Sequence, residues 1–152
     1  MKQLEQEMPV IDEITLKSSI MGGIDPNDCM WRCFAYIQSN GTHCSATDAE
    51  ALAAQYYGSG FNSTSYGFTG TESQAEALAG NVLGSAYVQN SKQILVFNPN
   101  NFPNWQGNGI SHAVIVTGYS NGQWQVFDPQ NNISGVIDAA ILNQQTSGTF
   151  FM

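Results

Sequence analysis

Positive charge is what this chain has least of. Lys2, Lys17, Arg32 and Lys92 are its only cations, and the net charge is −8. No basic patch can form, which excludes nucleic-acid binding on electrostatic grounds. Long apolar runs are missing too. None approaches the roughly 18 residues that span a bilayer, so no membrane span is expected. The opening segment "MKQLEQEMPVIDEITLKSS" lacks the basic start and apolar centre of a secretory signal. Cysteine is sparse and odd in number, with Cys29, Cys33 and Cys44. At least one thiol is therefore unpaired within the chain, and no disulfide framework is expected. Asn, Gln, Ser, Thr and Gly supply the polarity instead, a composition that favours an exported or extracellular, bacterial setting. The 152 residues suit one domain with a real core.

Residues 1–24 show no sustained period and are expected to form an arm ending at Gly22-Gly23, with the domain over 25–152. The first helix is predicted to begin near Asp28. Pro26 suits a helix start, and Asn27 or Asp28 suits a cap. Cys29, Cys33, Phe34 and Ile37 share one side of it, and "SNG" (39–41) stops it with Gly41 left-handed. "ATDAEALAAQYYG" predicts a second helix with a Thr47–Glu50 capping box, and "TESQAEALAGNVLG" a third with Thr71 and Gln74.

The period then changes. "SAYVQ", "QILVFN", "HAVIVTGY" and "QWQVFD" read as strands. "DAAILNQQ" reads as a short helix capped by Asp138, and "GTFFM" as a last strand. Helices followed by sequentially connected strands give an α+β fold with an antiparallel sheet. Residues 58–70 and 98–111 are expected to line a cleft, since the second leads into His112.

The hairpin "HAVIVTGYSNGQWQVFDP" is the most informative stretch. A two-residue Asn121-Gly122 turn would pair Ser120 with Gln123. A three-residue loop would pair Tyr119 with Gln123. The second puts His112, Val114, Val116 and Gly118 on one face with Trp124, Val126 and Asp128, leaving Thr117, Tyr119, Gln123 and Gln125 on the other. The apolar pattern favours it, because a one-residue slip inverts the faces. His112 and Asp128 then emerge on one face at one end, where an acid can orient an imidazole.

"DCMWRCFAYI" followed by "SHAVIVTGYSNGQWQVFDP" resembles the papain-like cysteine peptidases, nearest to the branch that processes the double-glycine leaders of bacteriocins. Asp28-Cys29, Ala35, His112 and Asp128-Pro129 follow that pattern in order. The resemblance implies helices packed on an antiparallel sheet, a peptide or protein substrate and no cofactor. It makes Cys29 the nucleophile, His112 the base and later acid, and Asp128 its orienter. A helix start favours thiolate over thiol, whereas Cys33 lies a turn inside and reads as packing. The family's Gln, about six residues before the Cys, is replaced by Gly23. Asn27 and the Cys29 N–H are the remaining oxyanion donors, and Trp105, Gly109 and Ser111 are substrate candidates.

Other readings use the same residues. Cys29, Cys33, His43 and Cys44 are four possible zinc ligands, though without a CxxC pair. A papain-like triad also serves secreted effectors or toxins that deamidate glutamine side chains or use them in acyl transfer, and the fold also serves as a binding module without catalysis. The Gly22-Gly23 arm suggests a double-glycine leader and hence export machinery as a partner, against a plain flexible joint.

Overall fold

The computed structural model describes residues 27–105, 109 and 111–152. The expected arm at 1–24, its Gly22-Gly23 end and Pro26 lie outside the described residues.

Among the described residues three helices precede the strands. α1 is Cys29–Gln38, α2 Ala46–Tyr57 and α3 Glu72–Leu83. Ser39 caps α1, and Asn40 and Gly41 then turn left-handed with φ of 55° and 84°. That conformation stops a helix at little cost in Asn and Gly. Two capping boxes start the others. Thr71 and Gln74 form the expected one on α3. On α2 the box is Ser45 with Asp48 instead of Thr47 with Glu50. A shorter acidic side chain serves the N3 position, and the helix starts two residues earlier.

The strands are β1 (Ile94–Phe97), β2 (His112–Ser120), β3 (Gln123–Asp128), β4 (Ile133–Asp138) and β5 (Phe150–Phe151). They form one antiparallel sheet in the order β4-β3-β2-β1-β5. The short helix α4, Ala139–Leu142, is capped by Asp138, whose Oδ1 accepts from the Ala140 and Ile141 amides. The class is thus α+β, as expected.

Two strand readings change. "SAYVQ" is not a strand: its ends lie in single 3-10 turns, Gly84–Ala86 and Gln89–Ser91. Only Tyr87 and Val88 lie between the two turns, and Gly84 and Lys92, each with φ of 55°, flank the segment. "ISGVID" supplies β4, which the pattern did not signal.

The sheet is covered on both faces. Ile94, Val96, Ala113 and Ile115 point to the helices and join Trp31, Cys33, Phe34, Leu52 and Leu83 in one core. Leu95, Phe97, Val114, Val126 and Ile137 point the other way. There the 98–105 segment packs Phe102 and Trp105 onto them, with Leu142 of α4. Residues 98–105 therefore seal a second core as well as lead toward His112.

The hairpin combines both expected registers. At the tip, Ser120 pairs with Gln123 around a two-residue Asn121-Gly122 turn with φ of 55° and 74°. Turn chemistry wins there, because Asn-Gly adopts two successive positive φ values readily. The ladder then skips Thr117, pairing Gly118 with Gln125 but Val116 with Val126. This β-bulge restores the register that the apolar pattern required. Below it Val114, Val116 and Val126 share one face, as expected. Above it Gly118 and Tyr119 exchange faces. A Cβ on Gly118 would meet Gln125, and the Tyr119 ring lies tilted against Trp124, 4.6 Å between centroids.

Candidate active site

Cys29 is the first residue of α1, half-buried and free. The side chain of Asp28 does not cap the helix. Buried, it accepts from Arg32 Nε at 2.9 Å and from Gln130 Nε2 at 3.2 Å. Arg32 also donates from Nη1 to the Pro129 carbonyl at 3.2 Å. The start of α1 is thereby tied to the turn after β3.

That turn follows Asp128, the last residue of β3. Across the hairpin, His112 opens β2 opposite Phe97. His112 Nε2 meets Asp128 Oδ2 at 2.8 Å, and both residues are buried. The same carboxylate accepts the Gln130 and Asn131 amides on Oδ1 at 3.0 and 3.3 Å, and Asn131 Nδ2 on Oδ2 at 2.7 Å. Four donors converge on a group that, as a carboxylate, only accepts.

With Nε2 engaged, Nδ1 is the ring nitrogen left for Cys29, the second hydrogen-bonding neighbour of the imidazole. Burial opposes a charge on the ring. The hydrogen bonds to Asp128 and Cys29, and the charges of both, outweigh it and push His112 up to about 9. The ring is therefore a strong proton acceptor beside a thiol. Aromatic walls keep water away from it. Phe97 and Trp105 lie 6.2 and 6.3 Å from it, centroid to centroid.

The other expected residues fall as follows. Trp105, expected beside the substrate, is buried in the second core, with its indole N–H directed at the Val136 carbonyl at 3.4 Å. It rests on Gly135, where any Cβ would come within 2.9 Å of its ring. Asn27 is exposed immediately before Asp28, and Ser111 is exposed immediately before His112. Gly109 is exposed with φ +82° and open space around it. Position 23, where the family's Gln would stand, lies outside the described residues.

Cys33 is fully buried. Burial first, then the charges of Cys29, Asp128, Cys44 and Asp28, raise its thiol well above the ordinary range. It is a small apolar filler, as its position inside the helix implied. The zinc set is not assembled. Among the described residues no three His, Cys, Asp or Glu side chains are grouped to share a metal ion. His43 is exposed and bonds Thr42 Oγ1 through Nδ1. No helix among the described residues is long and apolar enough to cross a membrane.

Sequence reasoning missed Arg32, Gln130, Asn131 and Gly135. Arg32 had a visible signal, standing four residues after an acid on one helix face. The others depend on contacts between distant segments. Compared with protein-family models, with curated proteins and with solved structures, the chain matches none of them.

Proposed function

We propose that this chain is a papain-like thiol hydrolase acting on peptide or other amide bonds, with Cys29, His112 and Asp128 as its catalytic triad. The observation that carries the reading is the His112 ring. It is engaged at 2.8 Å by buried Asp128 on one nitrogen and has the helix-tip Cys29 as its other hydrogen-bonding neighbour.

The chemistry follows from the geometry. His112 Nδ1 takes the thiol proton, and the sulfur attacks the amide carbonyl carbon. The resulting oxyanion is met by the Cys29 backbone N–H and by the side-chain amide of Asn27, two residues before the nucleophile. His112 returns its proton to the leaving nitrogen, the C–N bond breaks, and a thioester remains. Water then loses a proton to His112 and attacks the thioester. The carboxylic acid departs and the thiol is restored. Asp128, engaged at Nε2, turns Nδ1 toward the sulfur and stabilises the imidazolium that forms when the ring takes the thiol proton.

The test is alkylation by iodoacetamide at pH 6, mapped by mass spectrometry, beside incubation with a mixed peptide pool. Selective labelling of Cys29 that is lost in His112→Ala, with cleavage lost in Cys29→Ala, supports the proposal. Equal slow labelling of the three thiols with no cleavage would instead favour a binding module. Ammonia release from glutamine without chain cleavage would make the same triad a deamidase.

A further inference from the structure

The chain has a single arginine, and it stands beside the nucleophile. Arg32 lies one turn into α1 from Cys29. Its guanidinium spans two segments, with Nε on Asp28 Oδ2 at 2.9 Å and Nη1 on the Pro129 carbonyl at 3.2 Å. Gln130 crosses the same gap in the other direction, from the turn to Asp28 Oδ1 at 3.2 Å. Asp28 and Pro129 are the neighbours of Cys29 and Asp128. The strap therefore joins the residue before the nucleophile to the residue after the orienting acid.

We infer that Arg32, Asp28 and Gln130 are positioning residues that set the alignment of Cys29 with the His112–Asp128 pair. The inference rests on the thiol–imidazole reading above. Cys29 sits on a helix, while His112 and Asp128 sit on strands, and the backbone linking Cys29 to His112 is more than eighty residues long. Nothing local fixes the distance between the two halves. Packing of α1 on the sheet holds them only to within side-chain freedom. The strap adds directional bonds, two of them charge-assisted through a planar fork. It also leaves little charge over. Asp28 is buried, and its charge is felt by Glu50, whose carboxyl is raised by burial and then by Asp28. Arg32 supplies the counter-charge that lets Asp28 stand there.

The role is separable from simple charge. Arg32→Lys keeps the cation but loses the fork, and Gln130→Ala alters no charge. The readout is the rate of Cys29 alkylation by iodoacetamide at pH 6 relative to pH 9, mapped by mass spectrometry, with thermal unfolding in parallel. An aligned imidazole sustains reactivity at pH 6, whereas a misaligned one does not. Arg32→Lys and Gln130→Ala are each expected to lower the pH 6 rate about tenfold, short of the roughly hundredfold that an ångström of misplacement costs. The pH 9 rate should hold within about twofold, because the thiolate forms there without help from the imidazole, and an unchanged unfolding transition shows that the fold is kept.

Wild-type behaviour in both variants overturns the inference. So does a loss in Arg32→Gln that Arg32→Lys restores in full while Gln130→Ala stays at wild type, since that pattern is charge alone. His112→Ala separates the two levels. If it abolishes the pH 6 rate while the strap variants do not, only the positioning role falls. If it leaves that rate intact, there is no pair to position, and both readings fall together.

Discussion

Replacing Asp128 with Asn is the most searching perturbation of the site. The side chain keeps its size but not its acceptors. In the wild type, Oδ2 receives His112 Nε2 and Asn131 Nδ2, while Oδ1 receives two backbone amides. An amide offers one oxygen and one NH2 group. With the oxygen on the backbone amides, the NH2 faces Asn131 Nδ2 and forces His112 to accept at Nε2, which leaves Nδ1 protonated and unable to take the thiol proton; turned the other way, two backbone amides lose their acceptor. The ring then loses the partner that outweighed its burial. The interval from an ordinary 6.5 to about 9 corresponds to about 3 kcal/mol favouring the imidazolium in the folded protein.

The sign follows from linkage. A group raised on folding stabilises fully below its unfolded value, and that stability disappears as pH climbs through its folded value. The wild type should thus lose about 3 kcal/mol of unfolding free energy between pH 6.5 and pH 9 through His112. Asp128→Asn should be flat across that window and less stable below it. Urea unfolding followed by tryptophan fluorescence at several pH values measures the slope, and NMR titration of the imidazole locates the midpoint. Amide hydrolysis should fall by about a hundredfold or more, as when a general base is disabled. A wild-type His112 midpoint near 6.5, or an equal pH slope in the variant, would refute the reasoning.

Gly135→Ala places a methyl within 2.9 Å of the Trp105 ring. We expect about 1–3 kcal/mol of destabilisation, read by urea unfolding, and slower Cys29 labelling at pH 6 as Trp105 shifts against His112. Cys33→Ser buries a hydroxyl in a fully enclosed site and should cost about 1–3 kcal/mol in the same assay. Cys29→Ala should abolish selective labelling while changing stability by less than about 1 kcal/mol. Deleting Thr117 makes the β2–β3 ladder regular without changing which residues oppose each other below it. It should cost no more than about 1 kcal/mol by urea unfolding and preserve labelling of Cys29 at pH 6.

The meeting of His112 and Asp128 was legible because alternation in a strand fixes which side chains share a face, and the valines between them fix which face is buried. The helix stops and the Thr71 box were legible for local reasons as well. β4 was not, because Gly135 breaks its pattern while Ile133 and Val136 are exposed. That glycine is required by the indole lying on it, a contact between segments that no local pattern records. "SAYVQ" misled in the opposite way, since strand-like composition does not reveal the 3-10 turns that take up both its ends. The strap through Arg32 was half visible: the helix spacing pointed to Asp28, but nothing pointed to Pro129.

The bulge at Thr117 acts as a slip joint. Turn chemistry governs the tip, and the two buried cores govern the base. One extra residue absorbs the disagreement between them. The hairpin is therefore two mechanically separate pieces. The tip, with exposed Tyr119 tilted against Trp124, can vary in sequence or carry a graft between Asn121 and Gly122. The spacing of His112 from Asp128 is set below the joint and does not feel the change.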